Sequence, residues 1–320
     1  MKKKIKGFFK WLFIILAAIL ILMTSWNQIL CAIERSQAKE KFSGNCVTVE
    51  GKNMEVNILG EENDTAIVFL PGLGGVSSLL EYKPFLTDLS ENYKVIVLEP
   101  FGYGLSDGTN EDRTITNVVD ELHAAVQELG VDEYYLMAHS WGGAYSLVWA
   151  NKFTDEVLGF VGIDPSVPGQ GEIKMGIMDL TVLQEASCVL NKITSFIGIN
   201  RLNLITSGGV NFTDSCYTPE DSDLYSYLFL NRAFNSTIMD ECFRISETYG
   251  IIDGMKFPDS VPVLNLVSTQ NSQQFESWYP LHEETASNNP ATRNTLIEGS
   301  HNLTNDNPEA LLREINDWIE

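Results

Sequence analysis

The sequence predicts an α/β protein built on a mostly parallel sheet with helices on both faces. Strand patterns and helical patterns alternate from residue 47 to residue 164, which is the order that parallel sheets require. Two runs, residues 65–70 and residues 94–98, are almost continuously apolar, as strands are when both of their faces are buried. These two observations together define the expected fold class.

Each element follows from its local pattern. A β-hairpin is predicted around Gly51-Lys52-Asn53, because short β-prone runs flank this turn. The alternation stops after Pro165 and resumes near residue 259, so residues 165–258 are predicted to form an inserted helical cap. The other predicted strands are residues 65–70, 94–98, 134–138, 157–163, 261–267 and 294–297, and the predicted helices are residues 79–89, 115–129, 144–153 and 308–318.

Residues 11–33 carry no charged side chain. About 20 helical residues span a hydrocarbon core of ~30 Å, so this run is predicted to be a single transmembrane helix. The lysines before it favour a cytoplasmic N-terminus at the cell membrane, with the rest of the chain outside the cytoplasm. A cleaved signal peptide is the alternative, although no small-x-small cleavage site follows the run. The lysines are Lys2, Lys3, Lys4, Lys6 and Lys10.

The expected organisation is one folded core interrupted by the cap. Residues 1–35 are assigned to a cytoplasmic stub and the transmembrane anchor, and residues 34–45 are interpreted as a polar linker. Residues 36–164 form the first part of the core, residues 165–258 the cap, and residues 259–320 the second part of the core.

Composition excludes some functions and leaves others open. With 44% hydrophobic and 20% charged residues, the chain has the composition of a globular protein. Its net charge of −22 would repel phosphate backbones, which argues against nucleic-acid binding. The five cysteines lack metal-ligand spacing. Among Cys188, Cys216 and Cys242, one disulfide and buried free thiols are both compatible with the sequence.

The residues around Ser140 are typical of a nucleophile elbow, a sharp turn between a strand and a helix that exposes a nucleophilic side chain. A β-prone run ends at Ala138, and Gly142 and Gly143 follow the serine. The turn requires small residues two positions before and after the nucleophile, and Ala138 and Gly142 satisfy this requirement. The alternative is a serine that merely caps an ordinary helix.

Taken together, these motifs resemble the α/β-hydrolase superfamily over about residues 47–164 and 259–320, in particular membrane-anchored bacterial serine hydrolases. The resemblance implies that Ser140 is the nucleophile and that His301, on a loop after the last strand, is its base. It also implies that the backbone N–H groups of Leu73 and Trp141 form the oxyanion hole. The family usually has His-Gly where this chain has Pro71-Gly72, which is a departure from the family pattern at the start of that turn.

The position of the catalytic acid departs from the commoner family pattern. That pattern places the acid after the strand 261–267, where this chain aligns Asn271. A recognised variant places it after the preceding strand, where Asp164 stands, 24 residues past Ser140. The alternative is that Asp164-Pro165 is simply a turn. Glu276 is the reserve candidate for the acid.

The sequence therefore predicts a membrane-anchored serine hydrolase that cleaves a carboxylic ester or a related acyl compound. Peptidase, lipase and thioesterase chemistry would use the same triad, and the fold does not choose among them. The partner is expected to be a small acyl substrate, with lipid-like acyl groups included, and no metal or organic cofactor is expected, because their usual motifs are missing. A binding or sensor protein that has lost turnover is the alternative from a different class.

Overall fold

The computed structural model describes residues 2–319, without the side chains of residues 2–4 and 39. Met1 lies outside the described residues. So do the side chains of three lysines of the predicted positive cluster, Lys2, Lys3 and Lys4. The strands are β1 Cys46–Val49, β2 Lys52–Leu59, β3 Ala66–Leu70, β4 Lys94–Leu98, β5 Tyr134–His139, β6 Val157–Ile163, β7 Lys174–Met175, β8 Met178–Asp179, β9 Val263–Ser268 and β10 Arg293–Ile297.

The helices alternate with these strands on either side of the predicted cap. In chain order they are α1 Lys2–Lys41, α2 Ser78–Leu89, α3 Ile115–Glu128, α4 Gly142–Lys152, α5 Leu180–Ile197, α6 Ile199–Thr206, α7 Pro219–Asn231, α8 Ser236–Cys242, α9 Ile245–Ile252, α10 Thr269–Gln274, α11 Trp278–Thr285, α12 Leu303–Asp306 and α13 Pro308–Ile319.

Eight strands form a single sheet in the order β1-β2-β4-β3-β5-β6-β9-β10. The β1–β2 and β2–β4 pairs are antiparallel, and every pair from β4 to β10 is parallel. The mostly parallel sheet and the N-terminal hairpin are therefore confirmed. Because β3, β5, β6 and β9 are adjacent and parallel, the loops that follow them meet at one edge of the sheet.

Helices cover both faces of the sheet and bury its side chains in two layers. Along β3, Val68 and Leu70 pack into the layer that contains α3 and α4, whereas Ile67 and Phe69 pack into the layer that contains α2 and α13. All four side chains are fully buried. Full burial of such a side chain is worth about 1.5–3 kcal/mol, and burial on both faces explains why this strand is apolar throughout.

The start of α2 is fixed by a carboxylate from the neighbouring strand. Ser77 caps the helix by accepting a hydrogen bond from the Leu80 N–H group. Glu99, which follows β4, accepts hydrogen bonds from the hydroxyl groups of Ser77 and Ser78 and from the Leu79 N–H group. Glu99 therefore supplies acceptors to donor groups at the N-terminus of α2 and anchors this helix beside the loop that follows β3, while burial and the nearby Glu55 raise the pKa of Glu99 to about 8.

Residues 165–258, hereafter the insertion, contain α5 to α9 and the antiparallel hairpin β7–β8. The insertion leaves the sheet after β6 and returns to it at β9. Its division from the core at these residue numbers stays a prediction, but its helical content agrees with the expected cap.

Helix α1 is long and apolar enough over Ile5–Ala38 to cross a membrane, and both a membrane anchor and a signal sequence have such a helix. The expectation of a polar linker at residues 34–45 is wrong for its first part, because α1 continues to Lys41. Glu34 accepts hydrogen bonds from Arg201 and from Asn231 in the insertion, at 2.5 and 2.7 Å. These contacts hold the polar end of α1 as a helix docked on the insertion.

Candidate active site

Ser140 occupies a tight turn between β5 and α4. Its φ angle is 52°, in the left-handed region that non-glycine residues adopt mainly where surrounding structure imposes it. A Cβ atom at Gly142 would lie 2.6 Å from the Leu70 carbonyl oxygen, so a larger residue would displace the backbone of β3. Ala138 is fully buried, whereas Ser140 remains partly exposed. The strand–turn–helix context expected around Ser140 is present.

Asp164 lies at the end of β6, fully buried, and binds the imidazole of His301. Its Oδ2 atom is 2.7 Å from Nδ1 of His301 and accepts a second hydrogen bond of 2.7 Å from the Asn271 amide. Its Oδ1 atom accepts from the Ser268 N–H group and from the Trp278 indole, at 2.9 and 2.8 Å. With four donors around one carboxylate, Asp164 is far more than a turn residue, and its distance to His301 matches the expectation from the sequence.

The environment of Asp164 stabilises its ionised form. Burial alone would raise the pKa of this carboxyl group, but the hydrogen bond and the positive charge of His301 outweigh burial, with help from His282 and Trp278, so the pKa is lowered. An ionised Asp164 accepts the proton on Nδ1 of His301. When the imidazole of His301 is neutral and this proton is on Nδ1, Nε2 is the ring nitrogen that can act as an acceptor.

Ser140 and His301 belong to the same edge of the sheet, but their direct contact stays a prediction. Among the described residues, Ser140 Oγ has no hydrogen-bond partner. The His301 ring instead packs on the ring of His139, the residue before Ser140, with the ring centroids 4.7 Å apart. Nucleophile–base hydrogen bonds are often long without substrate.

The two other acid positions have different surroundings. Asn271 follows β9 as the alignment implied, and its amide nitrogen lies 3.5 Å from Nδ1 of His301 while it donates to Asp164. Asn271 thus donates to the Asp164 carboxylate, and the role of Asp164 as the catalytic acid stays a prediction. Glu276 is exposed in the connection between α10 and α11, and the Nδ1 atom of His301 already has Asp164 as its partner.

The loop after β3, residues 71–75, leaves one N–H group free between two that are bound. The Gly72 N–H group donates to the Tyr82 hydroxyl, and the Gly74 N–H group donates to the Tyr103 hydroxyl at 3.1 Å. Within residues 2–319, the N–H groups of Leu73 and Trp141 have no acceptor. Two free donors beside Ser140 are what an oxyanion hole needs, although their catalytic role stays a prediction.

Sequence reasoning missed the side chains that hold this loop. Tyr103 donates a hydrogen bond of 3.2 Å to Glu241 of the insertion, and Tyr145 on α4 donates to the same carboxylate. Burial raises the pKa of Glu241. Through Tyr103, a residue of the insertion therefore positions the Gly74 backbone. No local pattern marks such a contact, because Glu241 lies 138 residues beyond Tyr103 in the chain.

His139 was also missed, and it links the elbow to the loop of His301. Its Nε2 atom lies 2.9 Å from the His301 carbonyl oxygen, and its Nδ1 atom lies 2.8 Å from the Tyr82 hydroxyl. The geometry is that of a neutral imidazole that donates through Nε2 and accepts at Nδ1. Burial, reinforced by the charge of His301, lowers the pKa of His139 to about 4.

This burial predicts a pH-dependent loss of stability. Because the pKa of His139 is lower in the folded chain than its ordinary value of 6.5, the unfolded chain takes up the proton first as the pH falls. The free energy of unfolding should therefore fall between about pH 6.5 and about pH 4, by up to ~1.4 kcal/mol per pH unit. In urea unfolding, His139→Gln should show a weaker fall over this range, and parallel curves for the two proteins would contradict the assignment.

The aromatic stretch of α7 packs inside the protein. Tyr225, Tyr227 and Phe229 are partly buried against a cluster that includes Val76 and Leu80. These contacts explain the aromatic stretch as packing residues, which was the alternative to a role in acyl binding. All five cysteines are free thiols; Cys188 and Cys242 share one buried cluster with Tyr103, whereas Cys216 lies elsewhere.

The comparisons with known proteins agree with this fold. The family model described as alpha/beta hydrolase fold matches residues 65–186. The crystal structure of Cfl2 from Burkholderia cenocepacia superposes with a TM-score of 0.68 at 18% identity, over 86% of this chain and 95% of that one. The chain therefore has the α/β-hydrolase fold.

Among related sequences, an uncharacterized Bacillus subtilis protein, YbdG, is 28% identical over 246 residues, which is 75% of this chain and 73% of the relative. A proline iminopeptidase of Thermoplasma volcanium is 31% identical over 119 residues, which is 36% of this chain and 40% of the relative. The similarity to the iminopeptidase is therefore partial, and it supports a hydrolase without indicating a substrate.

Proposed function

We propose that this chain is a serine hydrolase that cleaves a carboxylic ester or a related acyl compound through an acyl-enzyme intermediate. The observation that carries this proposal is the 2.7 Å contact between buried Asp164 and His301, at the sheet edge where Ser140 occupies a strained elbow with φ 52°. A buried carboxylate, an imidazole and a serine hydroxyl at one edge are the components of a catalytic triad.

In the proposed mechanism, Ser140 Oγ attacks the carbonyl carbon of the substrate while its proton moves to Nε2 of His301. Asp164 holds the Nδ1–H tautomer and stabilises the imidazolium that forms. The developing oxyanion accepts hydrogen bonds from the N–H groups of Leu73 and Trp141, each worth about 10²–10³ in rate. The tetrahedral intermediate collapses, and the leaving alcohol takes the proton from His301.

The acyl group is then bound to Ser140 as an ester. A water molecule gives a proton to Nε2 of His301 and attacks the acyl carbon, and the second tetrahedral intermediate releases the carboxylic acid as Ser140 recovers its proton. Each step needs only the side chains named above and the two backbone donors.

The alternative is a binding protein without turnover, and part of the reason for considering it no longer applies. It was based on the amide at Asn271 and on the unusual Pro71-Gly72 turn. Asn271 donates to Asp164, so the amide supports an acid rather than replacing one. In the turn, Tyr82 binds the Gly72 N–H group while Leu73 keeps a free donor, and this arrangement favours turnover.

Hydrolysis of p-nitrophenyl esters of increasing acyl length tests the proposed reaction. We expect release of p-nitrophenol from at least one member of the series, with a maximum at one chain length. Because the aromatic residues of α7 are already packed, the preferred acyl chain length must be set by other residues that line the site. Absence of release across the series, from folded protein, would contradict the proposal.

We also propose that α1 anchors the chain in the cell membrane with the hydrolase outside the cytoplasm. Protease added to intact cells should then digest the domain while a cytoplasmic control protein stays whole. Mass spectrometry of the mature protein should find the N-terminal segment still attached. A free form trimmed after the apolar run would instead demonstrate a cleaved signal peptide, and a protected domain would contradict the orientation.

A further inference from the structure

A second cavity lies where the polar end of α1 meets the insertion. Its volume is about 590 Å³, and it is bounded by α1, α5, α7 and the start of α8. Ser140, Asp164 and His301 are not among its lining residues, so it is separate from the candidate active site. The residues on which its chemistry depends are Asn27, Cys31, Arg35, Lys192, Phe196 and Arg232. We call it the junction cavity.

The junction cavity is cationic in a strongly acidic protein. Arg35, Lys192 and Arg232 line it, and no carboxylate does, although the net charge of the chain is −22. The positive charge of Arg232 is partly compensated by Glu55 and neighbouring carboxylates. The Arg35 guanidinium donates to the Asn231 carbonyl oxygen at 3.0 Å, which orients it, and the adjacent Glu34 carboxylate, which also binds Arg201, compensates part of its charge.

Lys192 is the least satisfied of the three cations. Within residues 2–319 it makes no ion pair and no hydrogen bond. Burial lowers the pKa of Lys192, and the positive charge of Arg35 lowers it further. Two like charges that face the same cavity favour an anion between them, because it would attract both and supply acceptors for their N–H groups.

The position of the cavity along α1 relates it to the membrane proposed above. If the first 20 residues of the uncharged run, residues 11–30, cross a core of ~30 Å, the stretch from Cys31 to Arg35, about 6 Å of helix, lies in the headgroup layer. Asn27 donates to the carbonyl oxygens of Ser195 and Phe196, at 3.0 and 3.2 Å. These contacts hold the end of α5 beside the last turns of the uncharged run of α1.

The insertion exposes apolar side chains beside this cavity. On α5, Leu190, Ile193 and Phe196 are 62%, 50% and 52% exposed, and Phe196 also lines the cavity. Leu202 and Ile205 on α6 are exposed as well. Apolar side chains next to cations, at the depth of the headgroups, are typical of a helix that lies in a membrane interface.

We propose that the junction cavity binds an anionic phospholipid of the membrane, with Lys192 and Arg35 on its phosphate and Phe196 against its acyl chains. The inference rests on the proposed membrane anchoring, and it adds a lipid site that is distinct from the hydrolytic one. Lipid bound there would contact both α1 and the insertion, next to the partly buried ion pair between Glu34 and Arg201.

The test uses the full chain in neutral detergent, with Ser140→Ala so that added lipid cannot be consumed. Thermal unfolding is followed with dihexanoylphosphatidylglycerol, with phosphatidylcholine of the same chain length, and with inorganic phosphate. We expect the anionic lipid to raise the melting temperature by a few degrees at saturation and the other two additives to have a much smaller effect.

The variants connect this effect to the cavity. Lys192→Gln should bind the anionic lipid roughly tenfold more weakly, and Lys192→Arg should retain most of the affinity. Arg313→Gln, which removes an exposed charge on α13, is the matched control and should bind as the parent does. Lys192 has few contacts to lose, so the variant is expected to fold, which its melting temperature without lipid would verify.

Two results would overturn the proposal. Equal stabilisation by the anionic and zwitterionic lipids would exclude a role for the cations, and equal stabilisation by inorganic phosphate would mean that the cavity binds a free anion rather than a lipid. Because the measurement does not involve hydrolysis, its failure leaves the serine hydrolase proposal intact. The protease experiment on intact cells separately reports whether the membrane anchor itself is correct.

Discussion

Ser140→Ala is expected to lower ester hydrolysis by about 10⁵–10⁶-fold, because no other group in the proposed site can form the acyl intermediate. The partly exposed hydroxyl of Ser140 has no hydrogen-bond partner among the described residues, so its removal should leave the fold unchanged. Hydrolysis of the best p-nitrophenyl ester measures the loss, and circular dichroism verifies the fold.

Ser207→Ala is the matched control for this variant. Ser207 is exposed at the end of α6, and its loss should leave the rate within the error of the wild type. Activity of Ser140→Ala close to that of the control would mean that Ser140 only shapes the turn between β5 and α4. The elbow would then be a structural feature, and the proposed reaction would have to be abandoned.

Asp164→Asn should lower turnover by about 10³–10⁴-fold while the substrate KM changes little. The amide would present an N–H group or a weaker acceptor to Nδ1 of His301, which disfavours the required tautomer and leaves the imidazolium uncompensated. Steady-state kinetics on the same ester measures the effect. An exposed acid, Asp155→Asn, is the control.

Variants at Asn271 provide a second test of the proposed role of Asp164 as the catalytic acid. Asn271→Ala removes one donor to Asp164, worth roughly 1 kcal/mol, so a loss of about tenfold or less is expected. In Asp164→Asn combined with Asn271→Asp, a carboxylate returns within reach of His301 and should recover part of the rate. Full activity of Asp164→Asn alone would refute the assignment and make Glu276 the next residue to test.

Much of this fold was predictable because its signals are local. The apolar runs of β3 and β4 need no distant partner to be recognised, and the small residues around Ser140 report the geometry of one turn. The parallel order of strands then brings the residues after β5 and β6, Ser140 and Asp164, to one edge. The loop of His301 follows β10, which is also part of the parallel sheet.

The remaining features depend on contacts between distant parts of the chain. Residues 34–41 look like a linker because they are polar, but Arg201, 167 residues later, pairs with Glu34 and keeps them helical. The support of Asp164 by Trp278 spans 114 residues. No periodicity or spacing encodes such pairs, so a single sequence indicates the reacting residues better than the residues that position them.

The central claim is that Ser140 is an activated nucleophile, and labelling with a fluorophosphonate probe tests it most directly. We expect rapid covalent labelling of the full chain, with the adduct located on Ser140 by peptide mass spectrometry and lost in both Ser140→Ala and His301→Ala. Labelling of heat-denatured protein gives the background. If the folded protein reacts no faster than this background, or if the adduct lies on another residue, the proposed hydrolase mechanism is contradicted.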